Sequence, residues 1–326
     1  MKTTFNILLA GLCAAALISC SKESGPKVNN GDFQVTFEAG TLDFGDDGTK
    51  VTHSISGTKH SFAWEAGDQI SMVLFNGAGG AGVAAEGHVA NTSARRFTLT
   101  EGTTGQFTGT LNEEELAALG GGTSNLNAFV VYPATNVTVS ETSTNSSTFY
   151  YYILDGFEFP TTQDGTGIRY CYFTSTDVQF NRSAKVFSSA AKTLYLSHVL
   201  IRFNIANSAK DIKNIKIDTE SAYFVGPAKY WIGHTSSAPT EFMITNVGRR
   251  AIQAGCAVKT CNINNGGVLP NEIYVACRGM QAKAVTLTFT ATDDTECTIS
   301  TTLPSANYSP GIYNWGTINL ASATWN

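Results

Sequence analysis

Residues Val285 to Thr290 read Val-Thr-Leu-Thr-Phe-Thr, large apolar side chains at every second position with threonine between them. An extended strand puts such residues on one face, because successive side chains of a strand point to opposite sides. The same period of two recurs along the chain. Val35, Phe37 and Ala39 alternate within Gln34 to Ala39, and Ile70, Met72 and Leu74 do so after a turn at Gly67-Asp68. Leu194 to Ile205 is one long strand pattern, with Ile201, Phe203 and Ile205 on one face and Arg202 and Asn204 on the other. Shorter strand patterns fill Arg96 to Thr100, Gly105 to Leu111, Ala128 to Tyr132, Tyr170 to Phe180, Ile273 to Cys277, Cys297 to Leu303 and Ile312 to Leu320. Asn136 to Thr148, dominated by Thr, Ser, Asn and Glu, reads as a surface hairpin or loop.

One stretch calls for a helix. Asn112 can cap it, three glutamates fill its positive first turn, and Gly120 is placed to end it. The expected fold is therefore all-β: two tandem antiparallel β-sandwich domains, transthyretin-like or immunoglobulin-like. A Ser-, Ala- and Lys-rich shift at Asn181 to Lys192 places their boundary, giving an N-terminal sandwich over 33–189 and a C-terminal one over 190–326.

Ahead of them stands Lys2, then an apolar run from Ile7 to Leu17 that is too short to cross a bilayer as a helix. Leu17-Ile18-Ser19-Cys20 is similar to a bacterial lipobox. That likeness implies a signal peptide over 1–19, cleavage before Cys20, and acyl chains (palmitate among them) on the new N-terminus. Each buried methylene adds about 0.8 kcal/mol to membrane anchoring. Residues 20–32 are then a polar, lipid-anchored linker. Within it Lys22-Glu23 reads either as a surface-export address or as plain solvated chain.

Removing the leader takes away one lysine and no acid, so the net charge moves from -5 to -6. That balance gives no electrostatic reason to bind nucleic acid. Five cysteines remain besides Cys20: Cys171, Cys256, Cys261, Cys277 and Cys297. Small buried hydrophobes and one or two disulfides are both open for them, and an odd count leaves at least one without a partner in the chain. No histidine stands at zinc-ligand spacing among the last four. Asp46-Asp47 and Asp293-Asp294 lie in turn contexts, where solvated carboxylates compete with a weak calcium site. His198 sits among apolar residues and reads as a packed histidine, not a base. No nucleophile elbow, His-Glu-x-x-His pair or phosphate loop occurs, so no enzyme and no cofactor is expected.

Phe62-Ala63-Trp64-Glu65-Ala66-Gly67-Asp68-Gln69-Ile70 resembles the Phe-x-Trp-x-x-Gly-Asp-x-Ile signature of the fimbrillin-like lipoproteins of Bacteroidales, the major and minor fimbrium subunits or type V pilins. Thr49-Lys50, Phe107-x-Gly109-x-Leu111, Val131-Tyr132-Pro133, Leu196 to Phe203 and Tyr308-x-Pro310-Gly311-x-Tyr313 follow in the same order. The resemblance implies an outer-membrane lipoprotein exported to the cell surface and a structural or anchor subunit of an adhesive pilus. Its partners would be other pilin subunits, the membrane through its lipid, and host or bacterial surface ligands. In that family a trypsin-like protease removes the first strand, and a neighbour's strand fills the groove by donor strand exchange. Here the removable strand would be Gln34 to Ala39. No arginine precedes Arg95, so the cut would fall at Lys50 or Lys59; uncut, the chain would be an anchor or accessory subunit. Ile312, Ile318, Leu320 and Trp325 would arm a donor strand, or else belong to an ordinary final strand.

The alternative function is a lipid-anchored surface glycan-binding protein. The aromatic run Phe149 to Phe159 and Trp231 suggest it, with Tyr150 and Tyr152 as stacking faces. Cross-strand packing accounts for the same aromatics.

Overall fold

The computed structural model describes residues 32–43, 54–56, 59–61, 64, 67–76, 95–99, 105–118, 126–146, 149–219, 224–235, 254–278, 283–303 and 310–326. Over them the regular secondary structure is almost all strand. In chain order, β1 (Phe33–Asp43), β2 (Ser54–Ser56), β3 (Lys59–Ser61), β4 (Gln69–Asn76), β5 (Arg95–Leu99) and β6 (Gln106–Leu111) precede helix α1 (Glu113–Ala118). Then come β7 (Leu126–Tyr132), β8 (Thr138–Ser146), β9 (Phe149–Phe159) and β10 (Thr162–Gln163). A 3-10 turn (Ile168–Tyr170) leads into β11 (Phe173–Ser183), β12 (Val186–Ser189) and β13 (Lys192–Leu196). The remainder holds β14 (Val199–Ala206), β15 (Ile212–Asp218), β16 (Gly226–Thr235), β17 (Ala254–Gly255) and β18 (Thr260–Ile263). It ends with β19 (Glu272–Cys277), β20 (Lys283–Ala291), β21 (Glu296–Leu303) and β22 (Gly311–Asn319).

The all-β expectation holds, but the N-terminal part is not a sandwich. Its strands run β1-β13-β11-β7-β4-β5-β6, and β6 pairs again with β1, so seven strands close into a barrel. Closure removes the free edges an open sheet would expose. The cause lies in β1. It runs antiparallel to β6, from Phe33 opposite Leu111 to Glu38 opposite Gln106. On its other edge it runs parallel to β12 and then to β13. Alternation in a sequence tells which face of a strand is buried; it names neither the partner strand nor its direction.

A four-stranded sheet, β17-β16-β9-β8, lies against the outside of the barrel. Phe129 of β7 meets Phe157 of β9 and Tyr230 of β16, with ring centroids 6.5 and 5.3 Å apart. This second layer explains why β4 is buried on both faces: Ser71 and Val73 are as enclosed as Ile70, Met72 and Leu74. The Ser71 hydroxyl is satisfied there, donating to the Thr135 carbonyl at 2.6 Å and accepting the Thr135 amide at 2.9 Å.

The rest of the chain forms a five-stranded sheet, β10-β18-β15-β20-β21, and a three-stranded sheet, β19-β14-β22. Their inward residues, among them Ile201, Phe203, Ile215, Ile217, Leu287 and Phe289, belong to one buried cluster. Trp315 of β22 ties the two sheets: its ring edge meets Phe203 at 5.2 Å and its Nε1 donates to the Thr302 carbonyl at 2.9 Å. The residue 189/190 division expected from composition falls between β12 and β13, both of which pair with β1. The chain passes from the barrel, at β13, to the three-stranded sheet, at β14, through Ser197-His198.

Helix α1 forms where its capping residues predict. Asn112 Oδ1 accepts the Glu115 amide at 2.8 Å and Glu115 Oε2 accepts the Asn112 amide at 2.9 Å, a reciprocal capping box. The polar stretch after Asn136 is the outer strand of the β8–β9 hairpin. The aromatic pattern expected to start a strand at Tyr170 instead turns there, and β11 begins at Phe173. All five described cysteines are buried thiols, which decides for the small-hydrophobe reading over disulfides.

Candidate functional site: the seat of the first strand

The site built by the sequence's clearest pattern is the slot that β1 fills. Phe33, Val35, Phe37, Ala39 and Leu42 all point into the barrel and are buried. Each of the four large ones stabilises the seated strand by about 1.5–3 kcal/mol. Phe33 packs on Phe187 with centroids 5.9 Å apart, and the Arg182 guanidinium lies 5.0 Å from its ring centre. Phe37 lies between Phe107 and Phe180, at 6.4 and 6.5 Å. The backbone is held on both edges, with Gln34 donating to the Lys185 carbonyl and Ala39 to the Gly105 carbonyl, at 2.9 and 2.8 Å.

Between Ala39 and Leu42 the register along β13 slips, and here the slot narrows. Ala39 continues the β6 register opposite Gly105, a residue with φ of +71°. The indole of Trp64 fills the space over this pair. It stands edge-on to Phe107 and Tyr132, with centroids 5.1 and 4.9 Å away, and its Nε1 donates to the Gly40 carbonyl at 3.4 Å. A Cβ on Gly105 would lie 2.4 Å from the Ala39 carbonyl oxygen and 2.8 Å from Trp64 Nε1. A Cβ on Gly40 would lie 3.3 Å from the Lys192 carbonyl oxygen. The sequence singled out Trp64 as part of the Phe-x-Trp-x-x-Gly-Asp-x-Ile resemblance, without pointing to this contact. Gly40 and Gly105 carried no signal, because their close contacts are with residues distant in the chain, Lys192 for the one and Ala39 and Trp64 for the other.

The other expected residues are scattered. Cys20, Lys50 and Asp46-Asp47 lie outside the described residues. Lys59 opens β3 and pairs with Ser56 in a short hairpin; its side chain is not among those described. Ile312 and Trp325 are half-buried and Ile318 and Leu320 are buried, all within this chain's own fold, where β22 runs parallel to β14 from Val199–Gly311 to Ala206–Asn319. Trp325 lies under the Lys210 ammonium, 5.8 Å from the ring centre.

Tyr150, Tyr152 and Trp231 sit on β9 and β16, and nothing is described of their side chains. Phe157 and Phe159 of the same aromatic run are buried, as cross-strand packing requires. Asp293 pairs with Lys210 at 2.6 Å and accepts from Thr295; the lysine hydrogen bond holds its carboxyl well below the usual range. Among the described residues no three His, Cys, Asp or Glu side chains gather as metal ligands.

His198 is packed between strands. Its Nδ1 accepts the Tyr172 amide at 3.5 Å, its ring lies 5.0 Å from that of Phe159, and burial lowers its pKa to about 3.

No family model and no curated protein matches the chain. Among solved structures, a candidate cell adhesion protein from Bacteroides ovatus is similar over 90% of this chain and 94% of that one, at 12% identity and a TM-score of 0.42. The tip fimbrial protein Mfa3 from Porphyromonas gingivalis, truncated at its C-terminus, is similar over 90% and 98%, at 8% identity and a TM-score of 0.33. The shaft pilin SpaA from Lactobacillus rhamnosus is similar over 88% and 96%, at 11% identity and a TM-score of 0.26.

Proposed function

We propose that this protein is a structural or anchor subunit of a surface adhesive pilus, held to the outer membrane through acylated Cys20. The supporting observation is the seat of β1: a strand near the N-terminus, hydrogen-bonded on both edges, with five side chains filling one row of pockets. Withdrawing that strand would expose two ladders and a row of apolar pockets at once. Only another strand can satisfy both, which is the logic of strand addition. A cut at Lys50 or Lys59 frees β1 from the rest of the chain without touching a barrel strand. The barrel then accepts a strand from another subunit, while an uncut copy keeps its lipid and serves as the anchor. The role needs no catalytic group, only a groove and a strand.

Mass spectrometry of the N-terminus from native membranes, with gel analysis of mildly heated samples, tests this. Acylated Cys20 is expected on anchored copies, and a start at Val51 or His60 on copies in polymer ladders. A protein that stays monomeric after cleavage at both lysines, in the presence of its co-exported subunits, would sink the proposal.

A further inference from the structure

The slot does not accept all strands equally. We infer that Trp64 and Gly105 form a selectivity gate: it admits into the β1 seat only a strand with a small residue followed by glycine, here Ala39-Gly40, and so excludes this chain's own β22 as the donor. The inference rests on the strand-accepting function proposed above and names the kind of partner that function takes.

Three contacts define the gate. Cross-strand neighbours in an antiparallel pair have Cβ atoms about 5 Å apart. Ala39 faces Gly105 in this way and is itself buried, and the indole of Trp64, packed on Phe107, occupies the volume that a side chain on Gly105 would need. The indole cannot swing aside freely, because it is wedged edge-on between Phe107 and Tyr132. One residue on, the strand passes so close to the Lys192 carbonyl that a Cβ at Gly40 would lie 3.3 Å from its oxygen, tight enough that the β13 backbone would have to give by a few tenths of an ångström. The Gly40 carbonyl also takes the indole N–H. Upstream the pockets ask for large side chains, where Phe33, Val35 and Phe37 sit, and beyond the bulge for another, where Leu42 sits.

The occupant is thus a strand of the form large-x-branched-x-large-x-small-Gly-x-large. Within this sequence only Phe33 to Leu42 combines phenylalanines at the first two large positions with a small-Gly pair. The donor expected from the resemblance, Ile312 to Trp325, contains one glycine, Gly316. Setting Gly316 at the Gly40 position puts Trp315 where Ala39 lies, a buried position opposite Gly105 and its Trp64 neighbour; every other register leaves no glycine at the tight point. The partner is therefore a different subunit that presents a small-Gly strand, and copies of this chain do not chain together through their own C-terminal strands.

The test uses full-length protein nicked by a lysine-specific protease between β1 and β4. Fluorescent peptides are offered in excess under mild urea: residues 32–43, the same peptide with Ala39→Trp, and residues 311–322. The expected result is uptake of the 32–43 peptide roughly tenfold above the other two, the discrimination that overpacking one enclosed site produces. Trp64→Phe, which keeps an aromatic ring but shrinks it and removes the N–H, should narrow that ratio while leaving the far-UV spectrum unchanged. Equal uptake of the 311–322 or Ala39→Trp peptide would overturn the gate and leave strand acceptance standing. If no peptide enters, the wild-type sequence included, strand acceptance and the gate fall together. Selective uptake by a protein that never joins a polymer would keep the gate and remove the pilus role.

Discussion

The side chain of Gln163 is paired to the backbone of Ala276 as though it were one more strand. Its Oε1 accepts the Ala276 amide at 2.9 Å and its Nε2 donates to the Ala276 carbonyl at 2.7 Å. Ala276 belongs to β19, whose other edge is taken by β14, so the glutamine seals the outer edge of the three-stranded sheet. Replacing it by leucine keeps the bulk but strands two buried backbone groups. Gln163→Leu should lower stability by about 3 kcal/mol, read as a fall in the urea midpoint at unchanged slope.

His198 makes the fold sensitive to acid. Burial lowers its folded pKa from 6.5 to about 3, so the unfolded chain takes up a proton that the folded chain refuses. Its contribution is intact above pH 6.5 and is lost as pH falls toward 3, by on the order of 4 kcal/mol. Urea midpoints at pH 7 and pH 4 check this against His198→Gln, which keeps an acceptor for the Tyr172 amide but does not titrate. The variant should lose distinctly less stability between the two pH values.

The helix cap is a smaller and more local effect. Asn112→Ala removes the acceptor for the Glu115 amide, and the loss should be about 1 kcal/mol. Glu115→Ala breaks the reciprocal bond while leaving the Asn112 cap in place, and should cost less. Thermal unfolding of the two single variants and the double variant measures their coupling.

The thiols should be silent in the folded protein. Burial pushes Cys261 up to about 12 and Cys256 to about 11, and raises Cys171 and Cys277 as well. At pH 8 almost no reactive thiolate is present and access is blocked. Iodoacetamide mapping should leave Cys171, Cys256, Cys261, Cys277 and Cys297 unmodified in buffer and alkylate all five in denaturant. Early labelling at any one would mark a site of local opening.

Much of this molecule was legible in its residues. Val35, Phe37 and Ala39, the Ile201 to Ile205 row and the Val285 to Phe289 row are strands facing cores, as their alternation requires. Asn112 announces its helix cap, though not the return bond from Glu115. What escaped was relational. Ser71 and Val73 read as the outer face of β4, and nothing near them announces that β9 and β16 will cover that face. Closure of the barrel depends on β1 meeting β6 and β13 at sequence separations of roughly 75 and 150 residues, contacts that carry no local signature. Ala39 looked like one more member of an apolar row; its smallness acquires meaning only with Gly105 opposite and the Trp64 indole above.

Strand direction in β1 also has a mechanical consequence. A pull on its N-terminal end along the strand axis loads the rungs to β6, β12 and β13 together, in shear, and does not peel them one by one. Phe33, Val35 and Phe37 would have to be dragged lengthwise past the rings that flank them before the first rung gave way. Drawn from that end the slot resists as a whole, whereas lifted sideways from Asp43 the same strand would come away rung by rung.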